Sequence, residues 1–173
     1  MKKNTMTLTP LSRAEERVAN PPADLRQSLG EDILLKLALD AVQFVDGSRL
    51  NETIKSEQKI RPQMLLTLLC FCYAARMYGS REIQRAALHD KTVRYICARQ
   101  LPDWHILRHF RRHNRDLIEH CLAYVLKKAW VLECDPTDEN WAAWLKPELD
   151  QKFAAAAREK VDVAIIMDTA ESD

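Results

Sequence analysis

Apolar residues recur along this chain at three- and four-residue intervals, the spacing that lines one face of a helix. Over residues 24–45, Ile33, Leu34, Leu37, Ala41, Phe44 and Val45 follow that spacing, and Gly30 interrupts it. A helical stretch interrupted near Gly30 is expected there. Asp46-Gly47-Ser48 ends the stretch, and the polar residues up to Lys59 suit a loop or a short helix. Residues 1–23 are polar and lead to Asn20-Pro21-Pro22, which suits a loose lead-in with room for one short helix.

A stronger helix opens at Arg61-Pro62, since proline suits the first helical position, where its missing donor would be unpaired anyway. Residues 64–77 are apolar nearly all round, the mark of a central helix packed on several sides. Gly79 is the expected stop. Ser80, with Glu82 in the first turn, can cap a short helix through Leu88, and Asp90 another through about Cys97. After Gln100-Leu101-Pro102, Asp103 caps a longer helix that begins at Trp104.

Drawn on a wheel at about 100° per residue, Ile106, Leu107, Phe110, Leu117 and Ile118 share its core side. Arg108, Arg111, Arg112 and Arg115 form an adjoining cationic stripe, and His105, His109 and His113 a third stripe. A break near Asn114 is expected, then a helix to about Leu132. Beyond it, Asp135-Pro136-Thr137 restarts a helix around Trp141 and Trp144, and Pro147 opens another to about Lys160. The β-prone residues 161–167 predict one short C-terminal strand.

Only 3 of the 173 residues are Gly, too few for a turn-rich β architecture or a glycine-rich phosphate loop. The expected fold is therefore all-α, a helical bundle with one short strand at most. Formal net charge is +1, but it is unevenly spread. Residues 1–58 hold 8 Lys+Arg against 9 Asp+Glu, residues 59–128 hold 14 against 5 with all five histidines, and residues 129–173 hold 4 against 11. This divides the chain into an N-terminal helical lead-in (1–58), a basic helical core (59–132) and an acidic extension (133–173). A basic middle of this kind suits a nucleic-acid partner.

The arginine stripe carries the candidate chemistry, because guanidinium groups match phosphate oxygens and can reach guanine edges in a major groove. The bland alternative is a solvated face paired with Asp116, Glu119 or the acidic extension. Arg81, Arg85, Arg94 and Arg99 enlarge the basic surface. The histidine stripe has the i, i+4 spacing that can hold zinc, but no Cys, Asp or Glu completes a set and H-E-x-x-H is missing, so no metal or cofactor is expected. Cys70, Cys72, Cys97, Cys121 and Cys134 make an odd count without C-x-x-C, which suits reduced structural thiols. No apolar leader segment precedes them, and the longest apolar run, residues 64–75, falls short of the ~20 residues of a membrane span. A cytoplasmic protein without a membrane partner is expected.

Over residues 61–126 the chain resembles the N-terminal helical domain of DDE-type insertion-sequence transposases. The features that carry the likeness are Arg61-Pro62-Gln63-Met64-Leu65-Leu66 opening an apolar helix, Gly79-Ser80-Arg81-Glu82-Ile83 opening the next, the aromatic in Val93-Arg94-Tyr95-Ile96, and the Pro102-Asp103 turn into a helix with Phe110-Arg111-Arg112. The resemblance implies helix-turn-helix-like binding of double-stranded DNA at the ends of a mobile element, and a nucleoid-associated location. Residues 163–168 resemble the strand whose end carries the family's first catalytic Asp, here Asp168. One carboxylate cannot position two metals for strand cleavage, so no catalytic activity is expected. The DNA-contacting residues expected are Arg81, Arg85, Arg94, His105, Arg108, His109, Arg111, Arg112 and Arg115. The competing expectation is a helical protein-interaction module, an inhibitor or partner of a second copy or of a full-length transposase, with the acidic extension masking the basic face.

Overall fold

The computed structural model describes residues 22–50, 60–134 and 147–171. Eight α-helices follow one another along them: α1 (Leu25–Leu29), α2 (Glu31–Gln43), α3 (Pro62–Ala74), α4 (Ser80–His89), α5 (Lys91–Ile96), α6 (Trp104–His113), α7 (Arg115–Glu133) and α8 (Pro147–Ala170). No strand is present among the described residues. The all-α expectation holds, and the predicted restart around Trp141 and Trp144 lies outside the described residues.

Helix α3 is the hub. Every residue from Leu65 through Ala74 is buried, because α2, α7, α5 and α8 pack around it. Its one polar residue in that run, Thr67, returns its hydroxyl to the Gln63 carbonyl at 2.9 Å and so buries no unpaired donor. Residues of all three compositional segments, from Leu25 to Ala164, join a single core.

Several boundaries fall where side-chain chemistry places them. Asp103 accepts from the His105 N–H at 2.7 Å and starts α6. Asn114 separates α6 from α7. Gly79 does not stop α3, however. The helix ends at Ala74, Arg76 turns left-handed at φ 61°, and the Met77 N–H reaches back to the Cys72 carbonyl at 2.8 Å. An arginine takes the conformation usually left to glycine, while Gly79 precedes α4 as its N-cap.

Asp90 starts α5 by accepting from the Thr92 and Val93 N–H groups at 2.9 and 3.0 Å. It also receives Arg26 of α1 at 2.6 Å. Burial pushes the Asp90 carboxyl up, but Arg26 and the two amides outweigh that and hold it below the ordinary carboxylate range. Asp90→Ala should cost about 1–2 kcal/mol in urea unfolding, the usual value of a helix cap. Asp90→Asn, which can still cap, should cost less than about 1 kcal/mol.

The largest departure from expectation lies in α8. Residues 161–167 form no strand; they continue the helix opened at Pro147, which runs to Ala170 rather than Lys160. Leu149, Phe153, Ala157, Val161, Ala164 and Asp168 are its buried positions. They recur every three or four residues and lay α8 along α7. Continuous burial on one helical face overrides the β preference of Val161, Val163, Ile165 and Ile166.

Candidate anion-binding face

Helix α6 places the arginine stripe. Its first turn is tied to α4, where the Gln84 side chain accepts from the Trp104 N–H at 3.1 Å. The Arg81 and Arg108 guanidinium carbons each lie 4.6 Å from the Trp104 ring centroid, within cation–π range. His105 stacks against the same ring.

The stripe then divides. Arg111 is turned inward and is only 5% exposed. It donates to the Tyr73 hydroxyl at 3.1 Å and to the Ser80 hydroxyl at 3.4 Å, and forms an ion pair with Asp168. Asp168 is itself 3% exposed and accepts from both the Ser80 backbone N–H and its hydroxyl at 2.7 Å. Burial pushes the Asp168 carboxyl up, yet Ser80 and Arg111 prevail and hold it low. Burial likewise opposes the charge on Arg111, but Tyr73 and Asp168 raise its pKa. The pair is ionised, with its oxygens and donors well supplied.

Arg108 donates to the Asp168 backbone carbonyl, and its Nε lies 3.4 Å from the carboxylate. Arg115 pairs with Glu119 at 2.6 Å and with Asp162 of α8 at 2.7 Å. Arg112 is exposed and has no ion-pair partner among the described residues. Arg111 is thus not available to a phosphate backbone in this fold, which corrects the expected contact set. Its position on the wheel explains the difference, since it stands about 40° from Leu107 and Arg112 about 140°. Asp168 is corrected too: it closes a buried network inside a helix rather than the end of a catalytic strand.

The remaining predicted residues stay outside. Arg81, Arg85, Arg94 and His105 are exposed, and His109 is half-buried. The His109 and His113 rings lie 4.0 Å apart, and the His113 Nδ1 sits 2.8 Å from the His109 carbonyl. Among the described residues, no three His, Cys, Asp or Glu side chains are grouped to hold a metal. Cys70, Cys72, Cys97 and Cys121 are buried free thiols, and burial alone pushes Cys97 up to about 11, which leaves little thiolate at neutral pH.

Ser80, expected as the cap of α4, is instead its first residue and turns its hydroxyl to Asp168; Tyr73 fell within the apolar run of residues 64–77, which gave no sign of its hydroxyl's part in the network. Asp168 carried a usable signal, since it falls on the apolar seam of α8, where a carboxylate demands a buried cation. Around the network, Arg108, Arg111, Arg112, Arg115, Ile165, Asp168 and Thr169 line a cavity of about 380 Å³.

Fold and site together define an all-helical bundle with an arginine-rich face beside its last helix. No family model, curated protein or solved structure matches the chain. No described helix is long and apolar enough to cross a membrane.

Proposed function

We infer that the chain is a non-catalytic binder of double-stranded DNA, gripping phosphates through the outer sides of α4, α5 and α6. One observation carries the reading. Arg81, Arg85, Lys91, Arg94, Arg99 and Arg112 are exposed on this layer, against the single exposed carboxylate of Glu82. Helix α4 packs on both α5 and α6, so these cations belong to one small unit of three helices. The resemblance to transposase N-terminal domains points the same way. Arg108, Arg111 and Arg115 then act mainly as scaffold, and base contacts would come from His105 or Arg112.

Fluorescence anisotropy of a labelled ~30-base-pair duplex, titrated with salt, tests this. Binding should weaken linearly on a log–log plot, and the Arg85→Ala/Arg94→Ala pair should lower the slope by about 2. An unchanged slope, or no binding at low salt, would refute it.

A second reading has its own support. Asp162 and Asp168 bring α8 onto three of the four stripe arginines, and α8 exposes Ile165, Ile166 and Met167 beside them. That combination suits a protein-interaction module whose acidic helix masks the basic face. Absence of duplex binding, together with a change in light-scattering mass for Ile166→Asp, would favour it.

A further inference from the structure

We propose that the cavity between α6 and the end of α8 binds a small phosphorylated molecule. Its phosphate or diphosphate would lie against Arg112 and Arg115, and its carbon skeleton on Ile165. This site shares Arg112 with the proposed duplex face, is otherwise separate from the outer sides of α4 and α5, and does not depend on the DNA reading.

Size, donors and charge each support it. At about 380 Å³ the cavity falls within the usual range of small-ligand sites, about 300–1,000 Å³. A neighbouring cavity of about 320 Å³ shares Arg112 and Arg115 as a wall and adds Arg49 and His113. The two together are lined by five arginines and only two aspartates, Asp116 and Asp168. Counting Glu119 and Asp162, which pair with Arg115, the arginines still outnumber the carboxylates.

The donors left over are well placed. Arg111 is occupied by Tyr73, Ser80 and Asp168, so it stiffens the floor and is not a ligand contact. Arg115 uses Nε on Glu119 and Nη2 on Asp162, which leaves Nη1. The Arg112 guanidinium has no ion-pair partner among the described residues. A planar fork in the last turn of α6 and a further N–H donor at the first residue of α7 suit the several oxygens of a phosphate better than a lone carboxylate. The cavity admits a compact anion, whereas a duplex can reach only the exposed Arg112 at its rim.

Isothermal titration of the intact chain with inorganic pyrophosphate, at constant ionic strength and with sodium sulfate as control, is the test. Saturable binding should appear below about 1 mM. Arg112→Ala should weaken it about tenfold, the loss of a charge-assisted hydrogen bond. Ile165→Trp, which fills the cavity without altering any charge, should abolish pyrophosphate binding and leave duplex binding unchanged. Both variants should keep the parent melting temperature. The proposal falls if pyrophosphate does not bind, if sulfate gives the same isotherm, or if Ile165→Trp binds as well as the parent chain. None of these results bears on duplex binding, whose failure would show only in the anisotropy.

Discussion

Asp168→Ala should destabilise the fold by about 3–5 kcal/mol, because it leaves Arg111 buried without a compensating charge. Arg111 would keep the Tyr73 and Ser80 oxygens, and neither carries a negative charge. Ser80 would lose the acceptor for both its N–H and its hydroxyl. Urea unfolding gives the magnitude directly. The companion variant Arg111→Met/Asp168→Leu should recover most of the loss, since an apolar pair of similar volume needs no partner. A cost below about 1 kcal/mol for Asp168→Ala would mean that water reaches Arg111 and that the network is not a sealed one.

The same pair sets an acid limit. The Asp168 carboxyl is held below its ordinary range in the folded chain, so its contribution is present above the unfolded pKa of about 3.9 and is lost as pH falls further. Asp90 acts in the same direction. Stability of the parent chain should therefore decline below about pH 4. The Asp168→Ala variant should show a shallower decline from its lower starting point.

Phe71→Ala should be comparably severe, at about 3–5 kcal/mol. Phe71 is fully buried in the last turn of α3, and the Arg26 guanidinium lies 5.6 Å from its ring centroid. Removing the ring opens a cavity that the helices packed on α3 can fill only by shifting as rigid bodies, which is why such losses exceed the transfer free energy. Phe44→Ala supplies the contrast. Phe44 is 80% exposed, so its loss should change stability by no more than about 0.5 kcal/mol. Equal effects of the two substitutions would be incompatible with α3 as the hub.

Most of the helical layout was legible in the sequence, for local reasons. Asp90, Asp103 and Pro62 act within three or four residues of themselves, and such signals survive any tertiary arrangement. The end of α3 was not legible because its stop depends on Arg76 adopting a strained left-handed turn, a position where glycine is the normal signal. Residues 161–167 were misread for a different reason. β-branched residues favour strands only weakly, and the surface of α7 decided the matter. The arginine stripe was visible as a pattern, and the wheel already sets Arg111 beside Leu107. The carboxylate that lets a charged guanidinium stay there lies 57 residues further on, and no local rule reaches that far.

That separation also sets an order of events during synthesis. At about 5–20 residues per second, the ribosome takes roughly 3–11 s to pass from Arg111 to Asp168. Through that interval the Arg111 guanidinium has been made and the counter-charge it meets in the folded chain has not. The nascent chain therefore cannot seal its centre vectorially, helix by helix. Helix α8 is the keystone, because it supplies that charge only as it docks.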